Sequence, residues 1–113
     1  MKDPQLTREI TRLHADFCSA LADTRRLLLI YALQQGPRNV TELTEMIDAS
    51  QPSVSRHLKI LRERGLVHAR REGVTVTYSL ADERLIEALD LLRAVMRDRL
   101  TEQAELVESV EEA

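Results

Sequence analysis

The sequence predicts a mostly α-helical chain interrupted by one β-hairpin, and three observations carry that prediction. Leucine-rich stripes recur at spacings of three and four along most of its length. Between Leu66 and Leu80 the period drops to two, where Val74, Val76, Tyr78 and Leu80 alternate with Thr75, Thr77 and Ser79. Gly36-Pro37, Gly65 and Glu72-Gly73 stand where one pattern gives way to the next. At 113 residues the chain is sized for a single domain, residues 1–113, with a core built from aliphatic side chains because only Phe17, Tyr31 and Tyr78 are aromatic.

The first helix is expected over about 5–22, with Leu6, Ile10, Leu13, Phe17 and Leu21 forming one apolar stripe. Asp23 reads as the N-cap of a second helix, about 23–35, which "RRLLLIYAL" makes apolar over much of its circumference and therefore central. Thr41 is expected to cap a short third helix, about 41–48, with Leu43, Met46 and Ile47 inward. A three-residue break leads to a fourth helix, about 50–64, capped by Ser50 and stopped at Gly65. Two helices joined by so short a turn form a helix-turn-helix. The alternating segment, about 66–80, supplies a two-stranded wing with "EG" at its tip, and a fifth helix capped by Asp82 runs over about 82–109. Five helices plus a two-stranded wing make a winged helix-turn-helix.

Charge is segregated along this chain. The whole is acidic, with 16 Lys and Arg against 19 Asp and Glu. Residues 51–73 nevertheless hold Arg56, Lys59, Arg62, Arg64, Arg70 and Arg71 against Glu63 and Glu72, a net +4. Residues 81–113 hold four arginines against ten carboxylates, a net −6. Charges are felt within a Debye length of roughly 8 Å, so the local basic patch says more about a partner than the total does.

In "SQPSVSRHLKILRERGL" the helical wheel places Val54, Leu58 and Leu61 within about 40° of one another as a buried ridge. Arg56 points away from that ridge, with Ser55 and Lys59 beside it. The first turn is small and polar, which allows close approach to a duplex, and its free amides favour phosphate. Gln51 suits an adenine edge, Arg56 a guanine or a phosphate, and Ser53 and Ser55 either. Arg70 and Arg71 near the hairpin tip suit phosphates or the minor groove. His57, beside Leu58, is expected at the boundary of the ridge with a structural hydrogen bond. The expected partner is double-stranded DNA.

The last helix carries Leu85, Leu89, Leu92, Met96 and Leu100, with Val107 and Val110 continuing the line and Leu91 and Val95 widening it. That is more apolar width than one small domain covers, and the first helix has a similar stripe. A homodimer is expected through Leu6, Ile10, Leu13, Leu89, Leu92, Met96 and Leu100. No apolar run approaches the roughly 18 residues of a membrane span, and "MKDPQLTREI" lacks the apolar block of a signal peptide. One cysteine, Cys18, excludes an internal disulfide and fits a reducing cytoplasm. With three glycines, no phosphate loop and no paired nucleophile and base, an enzyme is not expected.

The segments "LADTRRLLLIYAL", "VTELTEMIDASQPSVSRHLKILRERGLVHARREG" and "TYSL" resemble the ArsR/SmtB family of small bacterial winged-helix repressors, over roughly residues 10–100. The resemblance implies a homodimer through the first and last helices that leaves an inverted-repeat operator when an effector binds. The chain departs from the family where effectors bind. Metalloid-sensing members carry two cysteines where "ELTEMID" has Thr44 and Met46, and zinc-type sites use histidines on the last helix, whereas no histidine follows His68. His14 and Cys18, four apart on the first helix, are the residual effector candidates. Two copies of each would supply four N/S ligands for a metal; Cys18 alone could be a redox thiol; or Cys18 is a small buried hydrophobe. No cofactor is otherwise expected. A second reading is an interaction module whose acidic last helix binds a partner protein that is the sensor.

Overall fold

The computed structural model describes residues 2–112, and its contacts divide the chain into two compact units, one ending at Asp82 and one beginning at Glu83. In the first unit, α1 comprises Pro4–Arg12, a π-helical stretch Leu13–Cys18 and a last turn Ser19–Leu21. Asp3 caps it, accepting from the Leu6 amide, and Pro4 fills the first position, where no amide is needed. The π stretch departs from the regular helix that the spacing predicts: its wider turns, seen in the Ser19 amide reaching the His14 carbonyl, break the 3.6-residue stripe.

Asp23 caps α2 (Thr24–Ala32) as expected, its carboxylate taking the amides of Arg25 and Arg26. Leu29, Ile30, Ala32 and Leu33 are buried, so this helix is central to the unit. The α3 helix (Val40–Ile47) is capped by Asn39 rather than Thr41. Asn39 and Glu42 exchange side-chain and backbone bonds in a capping box. Of the inward trio, Leu43 is buried, Ile47 is half-buried and Met46 is exposed. Asp48 ends α3 at φ 51, and Ser50 returns to extended backbone to cap α4 (Gln51–Glu63).

After α4, Gly65 takes φ 79, which a side chain would resist, and the Leu66 amide closes onto the Leu61 carbonyl. The wing is β2 (Val67–Glu72) paired antiparallel with β3 (Thr75–Leu80), Glu72 opposite Thr75. Its tip is therefore Gly73-Val74, and Val74 is fully exposed instead of starting a buried face. A third strand joins them: β1 (Arg38–Asn39) pairs with β3, giving the order β1-β3-β2. Two residues are too short to show a period, so this strand is silent in the sequence.

The second unit is one 29-residue helix, α5 (Arg84–Glu112), about 43 Å long. It begins two residues later than expected. Along it Leu91, Leu92, Val95, Met96 and Leu100 are more than half exposed, as are Leu106, Val107 and Val110. No helix among the described residues is long and apolar enough to cross a membrane.

Candidate nucleic-acid interface

The residues that matter are placed by α4. Its ridge is as the wheel requires: Val54, Leu58 and Leu61 have no exposed surface at all. Each such side chain contributes about 1.5–3 kcal/mol through burial, so the helix cannot rotate about its axis without losing them. Gln51, Ser55, Arg56 and Lys59 consequently stand on the exposed side, with Arg62 near them. The Ser50 hydroxyl accepts from the Ser53 amide and its carbonyl from the Val54 amide, while Pro52 sits in the first turn, where its missing N–H costs no intrahelical bond.

Ser53 departs from the sequence expectation. It is 5% exposed, and its hydroxyl accepts from the Arg25 guanidinium, Nη1 to Oγ 3.1 Å. A group so enclosed holds a neighbour in place instead of touching a base edge. Position on the wheel could not reveal this, because the covering residue comes from the start of α2.

A second arginine makes the adjoining link. Arg26 donates through Nε to the Ala20 carbonyl at the end of α1, and its Nη1 lies 3.2 Å from His57 Nδ1. Guanidinium has donors only, so His57 Nδ1 must accept and the imidazole is neutral with its proton on Nε2. Burial depresses the His57 pKa, and the charges of Arg26, Arg56 and Arg25 add to the effect against the opposing carboxylate of Asp23. Asp23 itself is lowered, chiefly by the Arg26 amide it accepts. His57 is thus a buried structural residue with a hydrogen bond. At the C-cap of α4, Arg64 pairs with Asp16 in the π stretch at 3.7 Å. Helix α4 and its C-cap are thus tied to α1 at two places.

On the wing, Arg70 and Arg71 are both exposed, but adjacent strand residues face opposite sides. Arg70 shares its side with Glu72 and pairs with it at 3.6 Å. Arg71 lies opposite Val76 on the other side and enters no ion pair among the described residues. The two side chains therefore lie on opposite faces of the wing.

The apolar candidates sort differently. Ile10, Leu13, Leu92, Met96 and Leu100 are exposed, Leu6 is half-buried, and Leu89 is already buried in the single chain, which removes it from the free stripe. His14 and Cys18 both lie in the π stretch and both are exposed, so Cys18 is not a buried hydrophobe of this chain. Among the described residues no group of three or more His, Cys, Asp and Glu could hold a metal within one chain.

A helix-turn-helix whose second helix presents a small first turn and a basic face, flanked by a β-wing, defines a winged-helix DNA-binding protein. Comparison with known proteins narrows the class. Residues 23–69 match the model of the bacterial regulatory proteins of the arsR family. The "Probable mercury resistance operon repressor" of Streptomyces lividans is 38% identical over 107 residues, 87% of this chain and 86% of that one. The transcriptional regulator NmtR of Mycobacterium tuberculosis is 41% identical over 76 residues, covering 67% of this chain and 63% of its own. Among solved structures, the homodimeric winged helix-turn-helix DNA-binding domain Mb0332 (fragment 1-100) of Mycobacterium bovis superposes with a TM-score of 0.73 at 29% identity, over 88% of this chain and 91% of that one. NolR from Sinorhizobium fredii gives 0.71 at 30%, over 84% and 94%. The chain belongs to the ArsR/SmtB family, which is one of transcriptional repressors and not of enzymes.

Proposed function

We propose that the protein is a homodimeric, sequence-specific repressor that binds an inverted-repeat operator through two copies of α4 and leaves it when an effector binds. The observation that carries this is the division of α4 into a ridge with no exposure and an exposed face of Gln51, Ser55, Arg56 and Lys59. Gln51 and Arg56 supply bidentate groups for an adenine and a guanine edge, while Ser55 and Lys59 suit phosphate. Arg71, and less strongly the partnered Arg70, extend the contact to the flanking backbone. Ile10, Leu13, Leu92, Met96 and Leu100 are the residues a second copy would cover. A cytoplasmic repressor agrees with the single free thiol.

For the effector, His14 and Cys18 are the residues to test. A metal there would need both copies, since among the described residues of one chain no group of three or more such donors could hold one; a thiol signal would need Cys18 alone. The mechanism requires the signal to favour a spacing of the two α4 helices that the operator does not fit, and it can shift that balance only by its difference in affinity for the two states. The two ties from α1 to α4, Ala20–Arg26–His57 and Asp16–Arg64, support a path for it.

Gel shifts on fragments from around the protein's own gene test the reading. The expected result is a retarded complex on a fragment bearing an inverted repeat, persisting against excess unrelated duplex at about 150 mM salt. Binding seen only at low salt, without preference, would sink it. Cys18→Ser in a release assay against oxidants, polysulfide and divalent metals then decides whether this thiol senses anything.

A further inference from the structure

Two arginines follow the Asp23 cap, at the second and third positions of α2. Positive charge in a first turn opposes the helix dipole, so their presence needs an explanation away from that helix. Arg26 has one: it is held inside by the Ala20 carbonyl and His57. Arg25 is placed differently. Its Nη1 donates to Ser53 Oγ at 3.1 Å, yet the residue is exposed. Its anchor is rigid, because Ser53 is buried and its own amide is held by Ser50. Asp23 engages the backbone amides of Arg25 and Arg26 rather than this guanidinium, and among the described residues no ion pair involves Arg25.

We propose that Arg25 is a further DNA contact, a phosphate clamp at the edge of the groove that α4 enters. The inference rests on the DNA-binding reading above and adds to it a residue from outside both α4 and the wing. A guanidinium carries five N–H donors, of which Ser53 occupies one, and its planar fork matches phosphate geometry. Held at one corner beside the first turn of α4, it keeps four further N–H donors for phosphate oxygens. A fork already fixed loses less freedom on binding than a free side chain does. Being a backbone contact, it sets affinity and register and leaves base choice unchanged.

The test is fluorescence anisotropy with two 30-bp duplexes, one enriched from a random pool by the wild-type protein and one unrelated, between 50 and 200 mM salt. Arg25→Gln keeps a donor for Ser53 and removes the charge; Arg25→Lys keeps the charge. The Gln variant is expected to weaken both duplexes by the same factor and to flatten the plot of log affinity against log salt by about 0.9 per subunit. The Lys variant keeps the wild-type slope. Arg25→Ala is measured alongside, and the slope is read from whichever of the two uncharged variants keeps the wild-type urea midpoint. A wild-type protein that prefers its enriched duplex, with an unaltered slope in the uncharged variant, overturns the clamp alone. A wild-type protein that enriches no duplex overturns the DNA reading itself.

Discussion

His57 shows how one side chain can tie stability to pH. Its folded pKa lies below the usual 6.5, because burial and three arginines disfavour the cation. The unfolded chain therefore binds the proton more readily, so stability is full above about pH 6.5 and is lost as pH falls toward the depressed folded value. Urea midpoints measured between pH 7.5 and 5 are expected to fall, and the fall should shrink in His57→Gln; an equal fall in both proteins would refute the assignment. Arg56 and Arg71 make a contrasting pair. Arg56→Ala is expected to cost about 1–3 kcal/mol of preference for the enriched duplex over variants changed at one base pair. Arg71→Ala should weaken all duplexes alike and reduce the salt slope by about 0.9 per subunit. Arg70→Ala should do less, because Glu72 already neutralises part of its charge.

At the level of elements, the caps and stops decide where helices begin and end. Asp23, Ser50 and Gly65 were legible because each has a side chain, or lacks one, in a way that only a terminus rewards. The cap of α3 is Asn39 rather than Thr41, and Asn39 with Glu42 three residues on is the capping-box pattern. Asn39→Ala should cost about 1 kcal/mol in urea denaturation. Gly65 makes a sharper prediction. A Cβ there would meet nothing within 4 Å, so the cost of Gly65→Ala is torsional, about 1–2 kcal/mol for φ 79. Gly65→Asn should cost less, since asparagine tolerates that region; equal losses would point to an unseen clash. The π stretch of α1 had no such signal, for "LHADFC" carries nothing that distinguishes i→i+5 bonding from i→i+4.

For the molecule as a whole, the exposed apolar residues of α5 set the next question. Leu92 and Met96 lie one turn apart, and both are more than half exposed. Exposed apolar area of that extent is covered in most soluble proteins. The double change Leu92→Glu and Met96→Glu is expected to convert the protein to a monomer in sedimentation velocity and to abolish binding to a two-half-site operator. A variant that stays dimeric would place the interface elsewhere.

Helix order, the break before α4, the buried ridge and the basic face could all be read from spacing, because local periodicity and capping depend on residues within a few positions of one another. What spacing could not supply were contacts between segments far apart in the chain. Arg25 and Ser53 are 28 residues apart, and Arg26 and His57 are 31 apart. Their meeting makes Ser53 an anchor, leaves His57 neutral and brings Arg25 beside the first turn of α4. The two-residue strand β1 belongs to the same group, since it exists only through its pairing with β3. A polar side chain takes its role from what covers it, and here the cover arrives from another helix.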